Sequence, residues 1–126
     1  MVRYAAKHAR SGLKDRLPKL EVLPSQFKKY RISISIPEYS SVCPRTGLPD
    51  TGTISIEYEP NRSFVELKSL KMYILAYRNL GIFYENAVNR IYHDFVKAVK
   101  PKWAIVRGEF SPRGGIKTTI EVKYRC

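Results

Sequence analysis

Apolar and polar side chains alternate along KYRISISI, residues 29–36. Tyr30, Ile32, Ile34 and Ile36 fall on one face, and Arg31, Ser33 and Ser35 on the other. A two-residue period predicts a half-buried strand, and Pro37 predicts its end. The alternation returns in TISIEY, 53–58, with Ile54, Ile56 and Tyr58 against Ser55 and Glu57, and Pro60-Asn61 breaks it. From Glu66 to Asn79 the period lengthens to three or four. Leu67, Leu70, Tyr73, Ile74 and Tyr77 make one helical stripe, with Lys68, Lys71 and Arg78 on another face. Gly81 supplies a stop signal. A second helix is predicted from Glu85 to Lys100, burying Ala87, Val88, Ile91, Tyr92, Phe95, Val96 and Val99 and ending at Pro101. His93 shares a solvated face with Arg90 and Lys97. Alternation closes the chain in WAIVRGEF (103–110) and, beyond the turn SPRGG, in IKTTIEVKY (116–124).

The order is β-β-α-α-β-β, which predicts an α+β layer fold with helices over one sheet face. A four-stranded sheet has two open edges, which proteins usually pair or cover. Oligomerisation through those edges is therefore expected. Residues 1–27 read as a basic, flexible N-terminal segment, and 28–126 as a single domain. The connection between the first two strands, 37–52, is 16 residues long. Long ordered connections are often functional.

Composition narrows the class. The chain has 126 residues, 44% of them hydrophobic, which suits one domain with a real core. No apolar run reaches the roughly 18 residues of a membrane span. The N-terminus is basic but lacks the apolar stretch of a secretory signal, so a cytoplasmic protein is expected. The net charge is +12, and residues 1–29 carry eight Lys/Arg against Asp15 and Glu21, half of that excess. Such a charge suits either a phosphate-bearing partner or a merely solvated segment. Two cysteines, Cys43 and the terminal Cys126, make no disulfide framework. With His8 and His93 they show no metal-ligand spacing, so no metal is expected.

Cys43 opens the stretch CPRTGLPD inside the long connection, with Asp50 seven residues on. A thiolate is a strong nucleophile, but no histidine base lies nearby in sequence. An aspartate partner suits a nitrile electrophile: thiol addition gives a thioimidate whose nitrogen needs a proton, which a carboxylic acid can donate. The plain alternative is an inert, packed cysteine. The basic face of Lys68, Lys71 and Arg78 is either a phosphate site or solvated. Glu85 either complements a helix N-terminus or accepts from the N–H groups of a guanine-type base edge. SPRGG is a hairpin turn, with Arg113 exposed in it.

Four segments in register, CPRTGLPD, VELKSLKMY, YRNLGIFYENAVN and FSPRGG, closely resemble the NADPH-dependent 7-cyano-7-deazaguanine reductases, the nitrile reductases of queuosine biosynthesis. The likeness spans roughly residues 30–124 and matches the short, single-module subgroup. It implies a tunnelling fold: four antiparallel strands backing two antiparallel helices, with subunits joined edge to edge into barrels and active sites at subunit interfaces. It implies Cys43 as the nucleophile that forms a thioimide, and Asp50 as the proton donor. Val65, Glu66 and Leu67, with Tyr84 and Glu85, fall where such enzymes bind the deazaguanine. Lys68 and Lys71, together with Arg113, fall in segments assigned to NADPH. The family usually has His-Glu where this chain has Tyr84-Glu85. Tyrosine can donate a hydrogen bond and stack on a flat base, but it supplies no imidazolium.

The implied reaction is reduction of the nitrile to an aminomethyl group, with two NADPH per turnover. No G-x-G-x-x-G is present, so a Rossmann-type cofactor site is not expected. Two other readings stand beside it. Archaeosine-type amidinotransferases share the thioimide but lack the reductase segment ELKSLKMY, and a basic RNA-binding module would need neither Cys43 nor a nitrile.

Overall fold

The computed structural model describes residues 6–125. Cys126 and the first five residues, including Arg3, lie outside them. In chain order the elements are helix α1 (Ala6–Ala9), strands β1 (Val22–Pro24), β2 (Ile32–Val42), β3 (Pro49–Glu59) and β4 (Ser63–Val65), helices α2 (Leu67–Leu75) and α3 (Tyr84–Val99), and strands β5 (Trp103–Phe110) and β6 (Thr119–Arg125). A 3-10 turn, Ala76–Asn79, continues α2. The main sheet has the order β2-β3-β5-β6 and is antiparallel throughout, while β1 and β4 form a separate two-stranded ribbon. This is the expected α+β arrangement, with α1 and the ribbon added.

The core lies on one face of the sheet because the two-residue periods of β3 and β5 agree. Asp50, Ile54, Ile56 and Tyr58 point inward from β3, and Ala104, Val106 and Phe110 from β5. Helix α3 lays Ala87, Val88, Ile91, Phe95 and Val99 over them, each large aliphatic or aromatic group contributing about 1.5–3 kcal/mol when buried. Gly108 is required at this contact, since a Cβ there would stand 2.7 Å from Val88. Lys100 ends α3 in the left-handed conformation, ahead of Pro101.

Three expectations need correction. Pro37 does not end the first strand. The register slips between Ile36 and Tyr39, so one extra residue sits in β2 as a bulge. A proline is tolerated there because β2 is an edge strand. The bulge changes the parity of the strand: Ile34 and Ile36 face the core side before it, Tyr39 and Ser41 after it. The predicted 16-residue connection is therefore mostly strand, and the true turn between β2 and β3 runs only from 43 to 48. Leu67 also leaves its predicted stripe. It begins α2 and is 64% exposed, while Leu70, Tyr73, Ile74 and Tyr77 are buried.

The N-terminal segment meets the domain at several points. Leu20 is buried, the Glu21 N–H donates to Ser69 Oγ at 2.9 Å, and β1 pairs with β4. Arg90 of α3 donates to the carbonyls of Gly12 and Asp15.

Tyr39, Tyr73 and Tyr77 are all buried. Burial pushes each hydroxyl well above its ordinary range because a phenolate there would lose its hydration. Unfolded tyrosines ionise near pH 10. Above that pH the unfolded chain sheds protons that the folded chain keeps, so stability falls as pH rises. The expected slope is ~1.4 kcal/mol per pH unit for each of these tyrosines. Urea midpoints from pH 9 to 11 measure it, and Tyr77→Phe should flatten the slope by one tyrosine's share. A level profile would mean that these hydroxyls ionise within the fold.

Candidate active site

The bulged hairpin brings Cys43 and Asp50 to the same end of the sheet. Ser41 pairs with Asp50 and Val42 with Pro49, so Cys43 leaves the end of β2 just as Asp50 enters β3. The Cys43 N–H donates to the Leu48 carbonyl (2.9 Å), and the Cys43 carbonyl accepts from Gly47 (3.0 Å), closing the turn. Gly47 takes a φ of +73° there, which favours glycine. Asp50 sits on strand β3, not in a loop as the sequence reading had it. It is the polar end of the inward stripe that includes Ile54 and Ile56, and it is buried.

A buried carboxylate needs donors. Asp50 Oδ1 receives two, from Arg113 Nη2 at 2.6 Å and Tyr84 Oη at 3.2 Å. Arg113 Nη2 also donates to the Pro49 carbonyl at 2.6 Å, which fixes its direction. The SPRGG turn can curl back because Gly114 and Gly115 both take positive φ.

Tyr84 is placed from the opposite side. The Val42 N–H donates to the Leu80 carbonyl and the Ile82 N–H to the Val42 carbonyl, both at 3.0 Å. This clip ties the end of β2 to the start of α3, whose first residue is Tyr84. The Tyr84 ring stacks on Phe110, with centroids 3.9 Å apart and an angle of 12°. Burial raises its pKa above the ordinary phenol value, the Asp50 charge and hydrogen bond raise it further, Arg113 opposes them, and the Cys43 sulfur adds to the rise. Tyr84 is thus a neutral donor at physiological pH, within electrostatic reach of Cys43. Glu85 follows it on the exposed first turn of α3.

Behind this group lie Tyr39 and Ser41, both buried, whose hydroxyls make no hydrogen bond among the described residues. Ser41 stands close enough to oppose the effect of burial on Tyr39 but outside hydrogen-bond geometry. Tyr39 packs edge-on against Phe110. Sequence reasoning assigned no role to Phe110, Tyr39 or Ser41. Only the place of Phe110 at the head of the FSPRGG segment pointed toward it.

The other predicted residues lie elsewhere. Glu66 caps α2: its carboxylate accepts from the N–H groups of Lys68 (2.7 Å) and Ser69 (2.8 Å). Val65 is buried, and its N–H donates to Tyr58 Oη at 3.0 Å. Leu67 lines hollows with Ile32, Ile34 and Ile36 of β2. Leu80, which meets Val42 beside Cys43, lies beyond the far end of α2 from Leu67, about 20 Å along the helix axis. Arg113 belongs with Asp50, not with the lysines of α2. Lys68 and Lys71 are exposed. Lys71 and Arg78 edge a groove of about 450 Å³ between α2 and β2, floored by Ile34, Ile36, Leu70 and Ile74. Cations beside an apolar floor fit a phosphate-bearing ligand with a flat ring. Among the described residues no group of three or more His, Cys, Asp and Glu stands together in a way that could hold a metal ion. No helix among the described residues is long and apolar enough to cross a membrane.

Comparison with known proteins bears on the whole arrangement. A family model described as QueF-like protein matches residues 49–126. A protein of Elusimicrobium minutum named NADPH-dependent 7-cyano-7-deazaguanine reductase is 52% identical over 122 residues, 96% of this chain and 92% of its own. The protein of that name from Chloroherpeton thalassium is 54% identical over 109 residues, 85% of this chain and 94% of its own. The crystal structure of an archaeosine synthase, QueF-Like, in the apo form superposes with a TM-score of 0.71 at 21% identity, covering 77% of this chain and 95% of that one. At that identity the likeness carries the fold, a tunnelling fold, and nothing finer. The match over residues 49–126, with more than half the positions shared with full-length relatives, shows that the chain belongs to the QueF-like family.

Proposed function

We propose that this protein is an NADPH-dependent reductase of 7-cyano-7-deazaguanine, acting through a thioimide on Cys43. The observation that carries the reading is the convergence of Cys43, Asp50, Tyr84 and Arg113 at one end of the β2–β3 hairpin. The relatives' names supply the substrate and the hydride source.

The Cys43 sulfur adds to the nitrile carbon as its thiol proton passes to the Asp50 carboxylate, one C–N π bond breaks, and the nitrogen takes that proton from Asp50. Asp50 is then a carboxylate again, and the donors aimed at its Oδ1, Arg113 and Tyr84, stabilise the charge it regains. NADPH, when bound, would supply the two hydrides that take the carbon to the aminomethyl level; Cys43 would leave as thiolate after the first, and the nitrogen would take a proton from solvent with the second. Lys71 and Arg78 would hold the phosphates at the α2–β2 groove, with Lys68 one turn away. Glu85, exposed beside Tyr84, would accept from the guanine-like edge of the base.

Val65, Glu66 and Leu67 lie at the far end of α2 from Cys43, about 20 Å away within one protomer, beyond the reach of one small base. Both sets serve one substrate only if a second copy supplies the second set. The open edges of β2 and β6 offer the surface for such a homo-oligomer. The same reading places the enzyme in the cytoplasm, acting on a small molecule without need of nucleic acid. An NADPH-oxidation assay on the free nitrile base separates it from amidino transfer.

Intact-mass spectrometry after mixing with the nitrile, without NADPH, tests the chemistry. Wild-type protein should gain the mass of one substrate and Cys43→Ala none, while Asp50→Asn should form the adduct about 10²-fold more slowly. A Cys43→Ala variant that still turns over would sink the covalent route.

Arg113→Ala should slow adduct formation roughly 10- to 100-fold, the effect of a lost charged hydrogen bond, with the KM for NADPH unchanged. A raised KM with a normal adduct rate would return Arg113 to the cofactor.

Lys71→Ala should leave adduct formation intact and raise the KM for NADPH, more so at high salt because the contact is electrostatic. Lys68→Ala should do the same more weakly, because Lys68 stands outside the groove. Single-turnover reduction of the preformed adduct against NADPH concentration measures both, and wild-type behaviour would assign these lysines to a solvated face.

A further inference from the structure

The N-terminal strap passes over the point where the two halves of the candidate site are joined. Ser11 Oγ donates to the Gly81 carbonyl at 2.6 Å, across 70 residues of sequence. Gly81 lies between Leu80 and Ile82, the two residues that clip Val42 and so fix the start of the Cys43 turn. A Cβ on Gly81 would meet Ser11 Oγ at 3.5 Å on one side and Pro44 Cα at 3.6 Å on the other. The strap, the clip and the nucleophile's turn are therefore stacked in direct contact.

Gly12 makes the approach possible. It is buried with φ at +81°, and a Cβ there would stand 2.7 Å from both the Gly81 oxygen and Ile82 Cβ. Helix α3 holds the strap from beneath. Asn86 Nδ2 donates to the Ala9 carbonyl at 2.6 Å, and Arg90 donates to the carbonyls of Gly12 and Asp15. Asn86 follows Tyr84 and Glu85 on the first turn of the same helix.

We infer that Ser11 and Gly12 are positioning residues for the reaction: they press the Gly81 clip onto β2 and set the distance between the Cys43 thiol and Tyr84–Asp50. This rests on Cys43 being the nucleophile. The strap acts here through the Gly81 clip. Its effect runs through one carbonyl and the two hydrogen bonds on either side of it. A misplacement of about 1 Å at a reacting centre can cost up to 10²-fold in rate, whereas a single half-buried hydroxyl hydrogen bond is a modest part of folding stability.

The experiment uses the full chain and follows the rate of adduct formation with 7-cyano-7-deazaguanine in the absence of NADPH. Ser11→Ala should lower the limiting rate at saturating nitrile about tenfold. The half-saturating nitrile concentration should move by less than about twofold, and the thermal midpoint by no more than about 5 °C. Ser11→Thr, which keeps the hydroxyl, should restore the rate. Gly12→Ala should give a larger loss of rate, with circular dichroism to check folding; if it does not fold, the Ser11 pair decides alone. A Ser11→Ala protein with a lowered thermal midpoint and the wild-type adduct rate would make the strap a mere brace and overturn the inference. A wild-type protein that forms no adduct would overturn the Cys43 assignment, and this inference with it.

Discussion

A carboxylate at the edge of a hydrophobic core must be given donors, and Asp50 takes both of its own from remote parts of the chain. Tyr84 comes from the first turn of α3, 34 residues on, and Arg113 from the turn before β6, 63 residues on. Those two contacts oblige the helix start and the glycine-rich turn to meet over one end of the β2–β3 hairpin. The apolar packing supports the same meeting: Phe110 is stacked by Tyr84 and edged by Tyr39. Removing one donor would leave Asp50 buried with a single partner, which is costly. The charged centre and the core beneath it thus depend on each other.

The bulge at Pro37–Glu38 is what lets the hairpin carry this arrangement. Without the extra residue, β2 would keep the parity of Ile32, Ile34 and Ile36 to its end. Tyr39 and Ser41 would then face away from the core, and Ser41 could not stand opposite Asp50 on the inner face. Edge position makes such a bulge cheap, since β2 has a pairing partner on one side only within the protomer.

Much of this was legible in the sequence, for a physical reason. The two-residue and three-to-four-residue periods record which side of each element is buried, and they placed β5 at its observed bounds and α3 to within a residue. What the periods could not record are contacts between distant segments. Arg113 read as an exposed turn residue because nothing local announces a partner 63 positions away. The cap on α2 was missed because glutamate is not among the favoured capping residues, yet the Glu66 carboxylate accepts two backbone N–H groups. Pro37 was taken as a stop because a bulge and a strand end look alike along one strand. The difference lies in the register with β3.

The segment Val65–Lys71 does local work in its own protomer: Val65 binds Tyr58, Glu66 caps α2, and Leu70 fills the core. Leu67 and Lys71 remain exposed beside the open edge strand. The first group fixes the backbone so that the second is presented outward from a rigid helix start. An exposed leucine at the head of a capped helix is a poor choice for a lone protomer, where it contributes little to the core. It is a good one for a surface that a second copy covers. The motif therefore couples a buried anchor to an outward-facing edge. That coupling presents Leu67 and Lys71 together along the open edge of the sheet.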